Sequence, residues 1–244
     1  MTSIVWIHGY PHSSKIFEPQ LSIPGYRHIC PDLPGFGGMP PPDGPMTMRD
    51  YARDVLEEFE GPAVIAGVSM GGYIAMQLYR DAPERVLALI LLDTRETPDT
   101  DDGRAARMKA IEEIRDHGTK GVIDALLPKM IATESLRPAG RKILESASAQ
   151  GMIAALQAMA DRPNSTDTLR NATVPALIMV GDKDTITPPT DGERMAALMR
   201  DAELAPIANA AHLANFERPD QVNHIIEAWL ARKVAKGERR TGSS

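Results

Sequence analysis

A single cysteine, Cys30, occurs in the 244 residues, which excludes an intrachain disulfide and any metal site built from several cysteines. Basic charge is short as well. Lys and Arg number 27 against 33 Asp and Glu, a net charge of −6, so no basic face is offered to nucleic-acid phosphates. The one basic cluster, residues 232–240, reads as a solvated tail. No apolar run reaches the ~20 residues needed to cross a bilayer. The opening Met1-Thr2-Ser3-Ile4-Val5-Trp6 lacks the basic stretch and cleavage site of a secretory leader. These absences point to a cytoplasmic protein without nucleic-acid or membrane partners, monomeric or a small homo-oligomer. Aromatics are sparse too (two Trp, five Tyr, four Phe), and none falls between Tyr79 and Phe216.

What is present is a 43% hydrophobic chain, enough for a sizeable core, with short apolar runs alternating with helical periodicity. Strands are expected at Ser3–Ile7, Arg27–Cys30, Ala63–Ala66, Val86–Leu92 and Pro175–Val180, with a weaker one at Glu203–Ile207. Helices are expected after Thr47, where Asp50 completes a capping box, over Met70–Arg80, over Glu193–Arg200 and after Pro219. Residues 96–172 show helical periodicity alone, broken at Gly118, Pro128, Pro138, Gly151 and Pro163. Strand–helix alternation with long crossovers implies an α/β fold around a mostly parallel sheet. Residues 1–95 and 173–244 then form the core, and 96–172 a helical cap inserted after the Val86–Leu92 strand.

Within this pattern, Gly67-Val68-Ser69-Met70-Gly71 sits between a strand and a helix. A turn that lifts a serine above the sheet edge needs that context, and glycine on either side where a side chain would meet backbone. A serine hydroxyl is a poor nucleophile near neutral pH, so a base must take its proton and an acid must orient the base. Of six histidines, His28 lies in a strand, His117 at a helix end and His224 in the last helix; His8 and His12 precede the serine. His212 occupies a loop after the last strand, at the same sheet edge as Ser69, and is the preferred base. Asp184, four residues beyond the strand ending at Val180, is favoured as the acid, with Asp93 as the alternative. The Met70 N–H, at the start of the helix, and the Tyr10 N–H, in the loop after the first strand, are the candidate oxyanion donors, because Pro11 has none.

Taken together, His8-Gly9, Asp32-Leu33-Pro34-Gly35-Phe36-Gly37, Gly67-Val68-Ser69-Met70-Gly71-Gly72, Gly181-x-x-Asp184-x-x-x-Pro188 and Ala211-His212-Leu213 with Glu217-Arg218-Pro219 resemble the α/β-hydrolase superfamily across nearly the whole chain. Within it, the Ser-Met-Gly-Gly and His-Leu-Ala-Asn stretches are similar to those of small-molecule carboxylesterases and 3-oxoadipate enol-lactonases. The resemblance implies an α/β-hydrolase fold reduced to about six strands, since the superfamily's usual first two strands have no counterpart upstream of His8-Gly9. It also implies hydrolysis of a small carboxylic ester, or of a lactone, through an acyl-enzyme. Neither a cofactor nor a metal is expected.

The middle segment contributes aliphatic and methionine side chains, Met108, Met130, Met152 and Met159 among them, which suit an adaptable apolar wall. His12, Ile186, Leu213 and Met130 are the residues expected to touch substrate. Arg104, Arg107, Arg137 and Arg141 are candidates for a substrate carboxylate, with solvated helix faces the plainer reading. Two functions of other kinds share the same residues: a hydroxynitrile-lyase-like proton transfer, and a ligand receptor on a retained hydrolase fold.

Overall fold

In the computed structural model, which describes residues 1–234, six strands lie in one sheet in the order β2-β1-β3-β4-β5-β6, and every pairing is parallel. The strands are β1 (Ser3–Ile7), β2 (Arg27–Ile29), β3 (Ala63–Val68), β4 (Val86–Leu92), β5 (Ala176–Gly181) and β6 (Ala202–Ile207). The expectation of a mostly parallel sheet is thus sharpened to a wholly parallel one among the described residues. β3 and β5 are buried along their length and β1 and β4 nearly so, whereas the edge strands β2 and β6 are half open. That is the burial required of parallel strands covered by helices on both faces. Pro206 is tolerated in β6 because an edge strand has one side free of partners. Most of the basic cluster at 232–240 lies outside the described residues.

Helix α1 (Met48–Glu57) starts on the expected capping box: the Thr47 side chain accepts from the Asp50 N–H, and Asp50 accepts from the Thr47 N–H. Helix α2 (Met70–Asp81) is buried almost throughout and packs on β1, β3 and β4, which explains a sequence apolar on nearly every face. Between β4 and β5 the chain forms helices only: α3 (Asp101–His117), α4 (Lys120–Met130), α5 (Arg137–Leu144), α6 (Ala149–Ala160) and α7 (Thr166–Arg170), with a 3-10 turn at Glu134–Leu136. Then α8 (Pro189–Leu198) lies against β5 and β6, and the short α9 (Ala214–Glu217) leads into α10 (Pro219–Lys233). No helix among the described residues is long and apolar enough to cross a membrane.

Beyond shifts of one or two residues at element ends, one helix start and two expected breaks differ from the sequence expectation. α8 begins at Pro189 instead of Glu193, because proline at the first helical position gives up an N–H that has no intrahelical partner there. Pro128 lies inside the last turn of α4 and does not stop it short of Met130. Gly151 does not break a helix either. It lies in the first turn of α6, where a Cβ would stand 2.7 Å from the Gly35 carbonyl oxygen, so glycine is needed for close approach to the Pro34-Gly35 loop.

Candidate active site

The end of β3 turns into α2 through Ser69, whose φ of 55° is in the left-handed region that non-glycine residues avoid. Such a backbone costs on the order of 1–3 kcal/mol. Surrounding bonds hold it: the Ser69 N–H donates to the Leu92 carbonyl at 3.0 Å, and the Ser69 carbonyl accepts from Gly72 N–H at 2.9 Å and Thr94 Oγ1 at 2.7 Å. The flanking glycines are sterically required. A Cβ on Gly67 would lie 2.6 Å from the Gly72 nitrogen, and one on Gly71 would overlap the Ile7 carbonyl and lie 2.8 Å from that of His8.

His212, in the loop between β6 and α9, reaches the serine: Nε2 lies 2.8 Å from Ser69 Oγ. Its Nδ1 is 2.8 Å from Asp184 Oδ2. Because an ionised carboxylate only accepts, Nδ1 carries the proton and Nε2 is left to accept from the serine hydroxyl. Asp184, beyond β5, is fixed on all sides. Oδ1 accepts from the N–H groups of Ile186 (2.7 Å) and Thr187 (3.0 Å), and Oδ2 accepts from Thr187 Oγ1 at 2.6 Å. Burial opposes ionisation of Asp184, but His212 and the Thr187 donors outweigh it and hold the carboxyl below its usual range. Thr187 also stands 3.2 Å from His212 Nδ1. Its part was not read from the sequence, although a Thr three residues after an Asp is a common local hydrogen-bonding pattern.

Asp93, the alternative acid, takes another place. Its oxygens accept from the N–H groups of Gly181 (2.8 Å) and Ala214 (3.1 Å), bracing the ends of β5 and of the histidine loop. Burial, reinforced by the charges of Asp184 and Glu217, raises its pKa well above the usual carboxylate value. Glu217 braces the same loop, accepting from Ala211 N–H and from Thr133 N–H of the helical segment, both at 2.7 Å.

The loop after β1 lies against the serine turn, where a Cβ on Gly9 would come within 2.6 Å of the Val68 carbonyl oxygen. The Gly9 N–H is occupied, donating to His12 Nδ1 at 3.3 Å, so Tyr10 offers the next N–H in the loop. Met70 opens α2, and a first-turn N–H has no acceptor within its own helix. His8 is wholly buried and uses both ring nitrogens: Nδ1–H donates to the Gly9 carbonyl at 2.9 Å, and Nε2 accepts from Leu33 N–H at 2.9 Å.

A cavity of about 330 Å³ opens onto Ser69 and His212. Met130 and Ile186 line it, together with Met159, Leu126 and Leu156. His12 and Leu213 do not line it. His12 is fully buried and accepts from the Gly9 N–H, and Leu213 is fully buried with its N–H donating to the Met130 carbonyl at 3.0 Å. Met152 is in the core and Met108 is exposed. The aromatic-free middle segment is offset by Tyr10 and Tyr73, which reach the cavity from the β1 loop and α2. Of the four arginines considered, only Arg107 lines the cavity; Arg104 pairs with Asp161, Arg141 with Asp124 and Glu145, and Arg137 with Glu134. Arg95 and Asp99 also line it and were not foreseen, since their pairing depends on chain segments distant in sequence. Among the described residues no three His, Cys, Asp or Glu side chains gather as a metal site.

A model of the alpha/beta hydrolase family matches residues 4–225. The chain is 31% identical over 245 residues to the AB hydrolase superfamily protein YisY of Bacillus subtilis, covering 91% of this chain and 89% of that protein. It is 26% identical to 3-oxoadipate enol-lactonase 2 of Acinetobacter baylyi, covering 85% and 79%. A thermophilic esterase from Thermogutta terrifontis, solved with malate bound, superposes with a TM-score of 0.90 at 32% identity, covering 95% of this chain and 90% of that one.

Proposed function

Because the chain belongs to the alpha/beta hydrolase family, we propose that it is a serine hydrolase that cleaves a small carboxylic ester through an acyl-enzyme. The observation that carries this reading is the continuous relay from Ser69 Oγ to His212 Nε2 to Asp184 Oδ2, with 2.8 Å at each link. Ser69 Oγ attacks the ester carbonyl while His212 Nε2 takes its proton, and the Tyr10 and Met70 N–H groups meet the oxyanion. His212 returns the proton to the departing alkoxide oxygen, leaving an acyl group on Ser69. Water then attacks, giving its proton to His212, and the acid leaves as Ser69 recovers its hydrogen. Asp184 keeps the imidazole in the useful tautomer and stabilises its charged form. A lactone would follow the same course, with the alcohol remaining joined to the acid. Helices α3–α7 serve as a cap, supported by the cavity walls contributed by α3, α4 and α6.

Hydrolysis of p-nitrophenyl acetate, butyrate and octanoate by wild type and Ser69→Ala tests the proposal. Repeated turnover by wild type and a loss of about a millionfold in kcat in the variant are expected. A single event per molecule would favour a receptor, and activity surviving Ser69→Ala would remove Ser69 as the nucleophile.

A further inference from the structure

Arg107 of α3 and Arg162, just after α6, share one carboxylate, that of Asp99. Arg162 Nη1 donates to Asp99 Oδ1 at 2.5 Å, and Arg107 approaches the same group through Nε and Nη2. Arg95 and Arg194 are matched by Asp191 and Glu96: Arg95 Nε stands 3.2 Å from Asp191, and Arg194 contacts both acids. The charged groups around this wall of the cavity therefore sum to one surplus positive charge, on the Arg107–Asp99–Arg162 side.

Arg162 Nη2 is buried there without a hydrogen-bond partner, but Arg162 does not line the cavity. Two donors of residues that do line it also lack an adequate protein acceptor. Arg107 Nη1 faces only the thioether of Met159, at 3.3 Å, and sulfur is a weak acceptor. The Tyr10 hydroxyl is buried and has no hydrogen-bond partner, although a buried hydroxyl left unpaired is costly. Arg107 is near enough for its charge to act on the Tyr10 phenol, and both residues line the cavity that opens onto Ser69. Arg162 is drawn into the wall by stacking over Tyr73, 4.3 Å from the ring centre, and keeps Asp99 from neutralising Arg107 alone.

We propose that the ester cleaved here carries a second, free carboxylate, which accepts from Arg107 Nη1 and the Tyr10 hydroxyl while the ester carbonyl lies at Ser69. The inference rests on the serine-hydrolase reading and narrows its substrate to anionic esters. Such a group removes the surplus charge and satisfies both donors in one step. A neutral acyl chain of the same length leaves both donors as they are.

The carboxylate belongs to the acid or to the alcohol half of the ester, and two substrate pairs separate these. Monomethyl glutarate against methyl hexanoate reads the acid side; butyryloxyacetate against ethyl butyrate reads the alcohol side, with acid release followed by pH-stat. One anionic substrate is expected to exceed its neutral partner in kcat/KM by about tenfold to a hundredfold, the value of one charge-assisted hydrogen bond in a sheltered site. That ratio should collapse in Arg107→Met and be restored in part by Arg107→Lys. Because Arg162 stays paired with Asp99, Arg107→Met leaves no unmatched buried acid. Tyr10→Phe, which keeps the backbone N–H, should lower the same ratio. Calorimetric titration with glutarate and with its neutral diamide, glutaramide, reads the subsite without turnover, and glutarate should bind tighter than glutaramide to wild type but not to Arg107→Met. Equal kcat/KM within both pairs, or a preference unchanged in Arg107→Met, would overturn the proposal. Ser69-dependent hydrolysis of p-nitrophenyl butyrate without carboxylate preference would remove the subsite and leave the hydrolase. Tight glutarate binding without ester hydrolysis would keep the anion site and remove the hydrolase.

Discussion

His8 makes the fold sensitive to acid. Both ring nitrogens are engaged inside the protein, Nδ1–H with the Gly9 carbonyl and Nε2 with the Leu33 N–H. Protonating Nε2 would set one N–H against another in a site with no solvent access. Burial accordingly lowers the His8 pKa from 6.5 to about 4, against the opposing pull of the Gly9 carbonyl and Asp32. Between those values the unfolded chain binds the proton and the folded chain does not, so stability falls as pH falls. The contribution is fully present above pH ~6.5 and is lost by pH ~4, a total of about 3 kcal/mol for this one group. Urea unfolding at pH 7, 6, 5 and 4 measures it, with His8→Gln as the reference lacking the titration. The wild type should lose about 3 kcal/mol more than His8→Gln across that interval. Parallel pH dependences for the two proteins would refute the reasoning.

Other substitutions probe the serine turn and its relay. Gly71→Ala forces a Cβ into the Ile7 carbonyl; thermal unfolding should show a loss of about 1–3 kcal/mol and kinetics a fall of at least about a hundredfold, as the nucleophile shifts. Asp184→Asn places an amide donor against His212 Nδ1 and reverses the imidazole tautomer, so kcat should drop by about 10⁴ while KM changes little. Thr187→Val removes the hydroxyl that donates to Asp184 Oδ2; a kcat loss of about tenfold to a hundredfold is expected, with the larger loss at lower pH as the carboxyl becomes easier to protonate.

The parts of the site carried on local backbone geometry were legible in the sequence. Gly67, Ser69 and Gly71, set between an apolar strand run and a helical pattern, announce a sharp turn, and Ser69 takes a positive φ there. Asp184 and His212 both sit in loops at the carboxyl edge of a parallel sheet, the edge that carries the serine; Asp93 follows directly on β4 at the same edge, so placement alone did not choose between the two acids. Side-chain direction was not legible. His12 is close in sequence to the site yet is fully buried, accepts from the Gly9 N–H and does not line the cavity, and Leu213, beside the base, is packed in the core. Arg95, Asp99 and Arg107 meet at the cavity through pairings that bridge the segment after β4, α3, the turn after α6 and the first turn of α8, which no local pattern specifies. α8 starts at Pro189, before the Glu193 that helical periodicity marks, because proline fits the first helical turn.

The central claim is that Ser69 is the nucleophile of a working relay, and covalent capture tests it most directly. Diethyl p-nitrophenyl phosphate, mixed with a slight excess of enzyme, should release one equivalent of p-nitrophenol per enzyme molecule modified. Peptide mapping should place the diethylphosphoryl group on Ser69, with Ser69→Ala unlabelled and Asp184→Asn labelled far more slowly. No adduct, an adduct on another residue, or equal labelling of Ser69→Ala would contradict the account.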